Sequence, residues 1–394
     1  MKILYHHRTQ AEDGQAVHIR SLIEAFRAEG HDVREEALVQ RAQGAPAGAA
    51  EKKEEGPSLA GRVAGALPGF LRELAEYGYT WPATGRLVRA GREYRPDFLY
   101  ERYAFGNLAG VRAARQLDIP IVLEVNSPMV HELSRTRGLA FQGLGRRVET
   151  AIFTGATRVC VVTAVLGEML VEMGVPRENL LVTPNGVHLE LYDSPDRAAA
   201  REALGLGEER EGELVLGFVG YYRDWHRLDL VVEGLAAPEL SHASLVLIGA
   251  GPAEESLREA ARRAGVTERL HFAGSRPHGA IPSLLPAFDV ALVPAINPYA
   301  SPLKLHEYMA AHLPVIAPDQ PNLREVLTAE ENALLVPPGD GDALLDAATR
   351  LAADPGLRSR LGAAGRRTIE EEDLTWRGNA RRVTRLAETL IQDE

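Results

Sequence analysis

Along nearly the whole chain, short apolar runs rich in β-branched residues alternate with amphipathic stretches. No other feature restricts the fold so strongly. Strands buried on both faces read as continuous apolar runs, and the intervening helices show apolar residues at three- and four-residue spacing, so strand-helix-strand units in a parallel sheet follow. The first unit predicts a strand over Lys2–His7, a helix over about Ala16–Glu29 stopped by Gly30, and a second strand over Asp32–Leu38. Further strands are expected at Phe98–Glu101, Ile121–Val125, Arg158–Val162 and Leu180–Thr183. After Pro184-Asn185-Gly186 the alternation restarts, with strands at Leu214–Val219, Leu245–Ile248, Leu270–Phe272, Val290–Val293, Pro314–Ala317 and Ala333–Val336. A last helix over about Leu374–Gln392 has no strand after it. The expected architecture is α/β, with two Rossmann-like doubly wound domains: residues 1–186, with 375–394 packed back on them, and residues 187–374. In open parallel sheets ligands sit at the carboxyl ends of the strands, so a cleft between the two domains is the expected site.

Length agrees, since 394 residues at about 150 per domain make two units. No apolar run approaches the roughly 20 residues that span a bilayer. The start Met1–His7 lacks the apolar stretch of a signal peptide, so a cytoplasmic protein is expected, at most peripheral at the inner face of the membrane. The single cysteine, Cys160, lies in the run Val159–Val162 and reads as a core residue. The net charge of −11 is unevenly shared. Residues 1–186 carry 23 Lys/Arg against 22 Asp/Glu, the remainder 21 against 33, and so acidic a half argues against nucleic acid as a ligand. Arg41–Pro57 reads as a surface loop. The helical segments Leu59–Tyr77 and Pro82–Tyr94 mix Arg with Leu, Val and Phe, which favours packing on the sheet over contact with a membrane or acceptor.

Four stretches carry candidate chemistry. The loop Arg8–Gln15 brings Gly14 and Gln15 to a helix start, where free N–H groups can receive an anion; a plain βα turn explains it equally well. Gly249-Ala250-Gly251-Pro252 has two glycines but lacks the third of a dinucleotide fingerprint, and reads as a tight turn beside a ligand. Gly217-Phe218-Val219-Gly220 ends a strand and delivers Arg223, His226 and Arg227 into a loop, three groups able to carry positive charge. The strongest stretch is Tyr299-Ala300-Ser301-Pro302-Leu303-Lys304 with Glu307. Ser301 suits an N-cap and Pro302 the first helical position, so the first turn forms an anion site to which Lys304 adds a full charge. An exposed ion pair between Lys304 and Glu307 accounts for the spacing but not for the apolar surroundings.

In this order and spacing the motifs resemble those of retaining, family-4-type glycosyltransferases (glycosyl transferases group 1) of the GT-B fold. The carriers are Val161-Val162-Thr163, Val182-Thr183-Pro184-Asn185-Gly186-Val187, Gly217-Phe218-Val219-Gly220, Gly249-Ala250-Gly251-Pro252, Phe272-Ala273-Gly274, Asp289–Pro294, Ser301–Lys304 with Glu307-Tyr308-Met309-Ala310, and Leu335–Asp340. The resemblance implies a nucleoside diphosphate sugar as co-substrate, bound mainly by the second domain, and no cofactor or metal. It implies that Glu307 takes the ribose hydroxyls, that Ser301, Pro302, Leu303 and Lys304 lie along the diphosphate and sugar, that Gly14 admits the diphosphate, and that the segment around Arg276 meets the base. Gln15, Gly220 and Gly251 join the donor-binding set. Arg223, His226 and Lys304 are then the catalytic cations that stabilise the departing diphosphate. Four positions depart from the family pattern: Tyr299 stands where a glutamate is common, Asn126 where a histidine is, and Tyr221 and His226 where Arg and Lys are. Asn126, Asn185 and Tyr299 are candidate sugar or acceptor contacts. The acceptor is expected to be a glycan, a lipid-linked molecule or a small molecule, with at most weak membrane contact. Other readings of the same residues are a catalytically silent sugar-nucleotide binder, an epimerase or phosphorylase of the same fold, and a dehydrogenase.

Overall fold

The computed structural model describes residues 1–9, 14–37, 69–207, 210 and 212–392. The proposed loop Arg41–Pro57, the beginning of the segment Leu59–Tyr77, Asp13 and Leu38 lie outside these residues.

The chain divides into two compact units. The first holds Met1–Val162, Leu166–Thr183 and Ala380–Glu394, the second Thr163–Val165 and Pro184–Asn379. The passage between them comes slightly earlier than Gly186, for a local reason. Asn379 Nδ2 donates to the Pro184 carbonyl at 2.6 Å, and a Cβ on Gly186 would meet the Trp376 backbone nitrogen at 2.5 Å, so Pro184–Val187 and Thr375–Asn379 pack backbone to backbone.

In the first unit six parallel strands are ordered β2-β1-β3-β4-β5-β6: β1 Lys2–His7, β2 Asp32–Ala37, β3 Phe98–Arg102, β4 Ile121–Val125, β5 Arg158–Val161 and β6 Leu180–Val182. In the second the order is β12-β11-β10-β7-β8-β9: β7 Leu214–Val219, β8 Ala243–Ile248, β9 Leu270–Gly274, β10 Val290–Leu292, β11 Val315–Pro318 and β12 Leu334–Val336. Every strand expected from the apolar runs is present, within two residues at either end. The central strands β1, β3, β4, β8 and β10 are buried almost throughout, as helices on both faces of a parallel sheet require. Cys160 is fully buried in β5. Among the described residues no helix is long and apolar enough to cross a membrane.

The order of the second sheet matters for function. Chain order runs outward from β7 through β8 to β9, then jumps back to β10 on the other side of β7. Loops leaving β7 and β10 therefore diverge, and the crevice at such a switch point is where doubly wound sheets bind ligands. Gly217, paired with Ala291 across this junction, is a packing necessity: a Cβ there would lie 2.0 Å from the Phe288 ring. Gly217→Ala is expected to lower stability by roughly 1–3 kcal/mol through overpacking, read as a fall in Tm. An unchanged Tm would show that Phe288 can move aside.

Candidate functional site

The carboxyl edge of the second sheet is paved with glycine. Gly220 and Gly249 adopt φ of +141° and +138°, open to glycine but not to residues with a Cβ. The loops after β7 and β8 run side by side, the Gly220 N–H donating to the Ile248 carbonyl at 2.9 Å and the Tyr222 N–H to that of Ala250 at 2.9 Å. A Cβ on Gly249 would meet the Gly220 carbonyl at 2.0 Å, and one on Gly251 the Tyr222 carbonyl at 2.1 Å. The two glycines of the 249–252 stretch thus serve a close approach of two loops, which leaves backbone rather than side chain at this edge.

Lys304 lies over that edge. Its Nζ sits 3.7 Å from the centre of the Phe218 ring, and a Cβ on Gly220 would meet it at 2.8 Å. An aromatic face attracts a cation electrostatically but replaces little of the hydration of an ammonium. Burial accordingly pushes the Lys304 pKa down to about 7, opposed by the charge of Glu307. Glu307, one turn along the same helix and buried, is pushed up to about 7 by the same loss of water, opposed by Lys304. His278, in the short turn His278–Ala280, places Nε2 3.2 Å from Glu307 Oε1.

The helix that carries both residues, Leu303–Ala310, is fixed along its length. The Val219 N–H at the end of β7 donates to the Tyr308 hydroxyl at 2.8 Å, and Arg366 Nη1 donates to the Ala310 carbonyl at 3.0 Å. Ser301 is not its N-cap, contrary to the sequence expectation. Pro302 occupies that position without a side-chain cap, and the Ser301 hydroxyl accepts from the Asn185 N–H at 3.1 Å. Leu303 rather than Pro302 is then the first helical residue. Asn185 is turned onto the same loop, its side-chain amide donating to the Ser301 carbonyl.

His226 is also corrected, in its charge. It is buried between the rings of Trp225 and Phe218, at centroid distances of 3.8 and 5.2 Å, and Nδ1 accepts the Arg223 N–H at 3.2 Å. Burial, with the charges of Lys304 and Arg223, pushes its pKa down to about 3. The imidazole is neutral at ordinary pH, with its proton on Nε2, and is a hydrogen-bond donor instead of the expected cation. Arg223 is exposed, its guanidinium 5.0 Å from the Tyr221 ring centre, and Arg227 is paired with Asp229 at 3.2 Å. Arg276 is exposed in the turn that leads to His278. Tyr299 is buried, with its carbonyl taken by Thr163.

The remaining candidates belong to the first unit. Gly14 and Gln15 are exposed at the start of the helix Gly14–Ala28. Asn126 is half-buried and donates to Glu124, a carboxylate that also meets His18 at 3.1 Å, Tyr100 at 2.9 Å and Arg102. Burial alone would raise the Glu124 pKa, but these donors hold it well below the usual carboxylate range. No group of three or more His, Cys, Asp or Glu able to hold a metal occurs among the described residues.

Several site residues were not singled out from sequence. Phe218 and Tyr308 lie inside motifs quoted for other residues, and Tyr308 was findable as the residue four beyond Lys304 on one helix. His278 gave no local signal, because only the fold brings its turn to Glu307.

Comparison with known proteins agrees with the architecture. The family model "Glycosyl transferases group 1" matches residues 202–368, and "Glycosyl transferase 4-like domain" matches residues 13–186. D-inositol 3-phosphate glycosyltransferase of Kribbella flavida is 31% identical over 208 residues, 50% of this chain and 48% of that one, so the chain matches about half of that relative's length. 2-Deoxystreptamine N-acetyl-D-glucosaminyltransferase of Streptomyces fradiae is 28% identical over 297 residues, 69% of each chain. Among solved structures, sucrose-phosphate synthase from Thermosynechococcus elongatus superposes with a TM-score of 0.75 at 22% identity over the full length of both chains. HepE from Anabaena in complex with UDP gives 0.73 at 18% identity, over 99% of this chain and 100% of that one. The chain belongs to the group 1, family-4-type glycosyltransferases, and its fold is GT-B.

Only four lysines occur in the chain, Lys2, Lys52, Lys53 and Lys304, which makes the central pKa measurable. After reductive 13C-methylation, the NMR signal of Lys304, assigned by its loss in Lys304→Arg, is expected to titrate near pH 7. A titration at the ordinary lysine value would contradict the dry site described above.

Proposed function

We propose that the chain transfers a sugar from a nucleoside diphosphate sugar to a hydroxyl-bearing acceptor, with retention at the anomeric carbon and without a metal ion. The observation that carries this reading is the placement of Lys304 and Glu307 one turn apart at a glycine-paved switch point. The task in such a transfer is to stabilise a departing diphosphate while positive charge develops on the sugar ring. Lys304, the first-turn N–H groups of its helix and Arg223 are assigned to the diphosphate. The neutral His226 adds a donor from Nε2. Glu307 is assigned to the ribose, where a carboxylate can accept from both hydroxyls, and Gly220 and Gly251 are assigned to the phosphates through the backbone that the close loop approach leaves at this edge.

In the absence of ligand the two charged residues are both held near the point of losing charge. A diphosphate favours the ammonium of Lys304, which then gains a charged partner in place of water. Retention rests on the family likeness, and the family's small-molecule acceptors support an acceptor rich in hydroxyls. Two relatives are named for inositol phosphate and deoxystreptamine, so polyhydroxylated rings head the acceptor panel.

The test is turnover of UDP-, GDP- and dTDP-sugars with a panel of cyclitols and glycans, the product anomer being read by NMR. Glu307→Gln is expected to raise the donor KM roughly 10- to 100-fold, the equivalent of about 1.5–3 kcal/mol for hydrogen bonds to a charged acceptor. Lys304→Ala is expected to lower kcat about 10²- to 10³-fold. Addition of EDTA is expected to leave the rate unchanged. Binding of the nucleotide without transfer or hydrolysis of any donor would support the silent binder in place of the enzyme.

A further inference from the structure

The loop that leads from β10 into the Lys304 helix, residues 297–302, is closed on itself by a turn in which the Ala300 N–H donates to the Asn297 carbonyl at 3.1 Å. Pro298 and Pro302 remove two of its backbone donors, and the carbonyls of Tyr299, Ala300 and Ser301 are held by side chains from outside the loop. Three buried side chains from distant parts of the chain take up those carbonyls. Thr163 Oγ1 donates to the Tyr299 carbonyl at 2.8 Å across 136 residues of sequence. Asn322 Nδ2 donates to the carbonyls of Asn297 at 3.2 Å and Ala300 at 2.7 Å. Asn185 clasps Ser301 at both ends of that residue's polar groups, its N–H to the hydroxyl and its side-chain amide to the carbonyl. The carbonyls of Asn297, Tyr299, Ala300 and Ser301 are thereby all satisfied.

Two details show that these contacts do more than fill space. Thr163 belongs to a three-residue visit, Thr163–Val165, that the chain makes to the second unit between stretches of the first. That visit is anchored at its other end too, the Glu325 carboxylate accepting the N–H groups of Ala164 at 2.8 Å and Val165 at 3.2 Å. Asn322, for its part, keeps its own Oδ1 buried without a partner among the described residues. An aliphatic side chain would avoid that cost, so the amide is retained for what its N–H groups hold.

We propose that Thr163, Asn185 and Asn322 are positioning residues for glycosyl transfer, fixing the loop 297–302 so that Lys304 and Glu307 stand at a set distance from the glycine edge. This rests on the transfer reading given above. The three side chains touch neither donor nor acceptor in this scheme. They act through the start of the helix, where a shift of an ångström is enough to impair chemistry.

The experiment compares Thr163→Val, Thr163→Ser and Asn322→Ala in the full chain. Position is read without any ligand from the 13C-methyl titration of Lys304, fold from far-UV circular dichroism and Tm, and chemistry from steady-state kinetics with whichever of UDP-, GDP- and dTDP-glucose the wild type turns over. Thr163→Val is expected to stay folded, to move the Lys304 titration, and to lower kcat about tenfold or more with a smaller change in donor KM. Thr163→Ser is expected to restore all three, and Asn322→Ala to reproduce the valine variant and so to stand in for it should Thr163→Val not fold. An unmoved Lys304 titration and unchanged kcat in folded Thr163→Val or Asn322→Ala would overturn the proposal. A moved titration in a protein whose wild type turns over no nucleotide sugar would support the positioning and overturn the transfer reading.

Discussion

One contact governs the second unit: the ammonium of Lys304 held 3.7 Å from the Phe218 ring centre, above a glycine with no side chain to push it away. A cation half-buried against an aromatic ring is costly unless a partner replaces the lost water. Phe218 supplies part of that, and a polyphosphate would supply the rest. The surrounding structure makes sense as what is needed to keep the lysine there. Tyr308 fixes the helix to the end of β7, Arg366 holds its last carbonyl, and Thr163, Asn185 and Asn322 hold its entry.

The same environment explains His226. A second permanent charge so close to Lys304 would raise the cost of an unliganded site, and the fold avoids it by burying the imidazole against the face of Trp225 and edge-on to Phe218 and leaving it neutral. Net charge is therefore a poor guide here. The acidic excess of residues 187–394 coexists with a site whose local exceptions are Lys304 and Arg223, one half-buried and the other exposed. In the proposed transfer, anion affinity rests on these few groups and on backbone N–H donors, not on the balance of the whole half.

How much of this was legible beforehand follows from the range of each interaction. Strands of a parallel sheet announce themselves within five or six residues, and so all twelve were placed. That Lys304 and Glu307 share one turn of a helix was legible because helical spacing is local as well. Ser301 reads as an N-cap because it precedes a proline and an apolar turn, whereas the N–H that its hydroxyl meets, that of Asn185, lies 116 residues away and leaves no local signal. His226 read as a cation because sequence shows the imidazole but not the rings that bury it. Thr163 and Asn322 carry no local signature at all, since their partners lie 136 and up to 25 residues away in the chain.

The central claim is that Lys304 waits partly discharged and regains its proton when a diphosphate arrives. Isothermal titration calorimetry of UDP, GDP and dTDP at pH 8, in buffers of different ionisation enthalpy, measures this directly. With a free pKa of about 7 and a bound value raised by the phosphates, the best-binding nucleotide is predicted to take up roughly nine-tenths of a proton. Because the charged lysine is the binding form, affinity is predicted to fall as pH rises above 7, and Lys304→Met to abolish the uptake. Tight binding by the wild type with no proton uptake, or an affinity that rises between pH 7 and 8, would contradict the account.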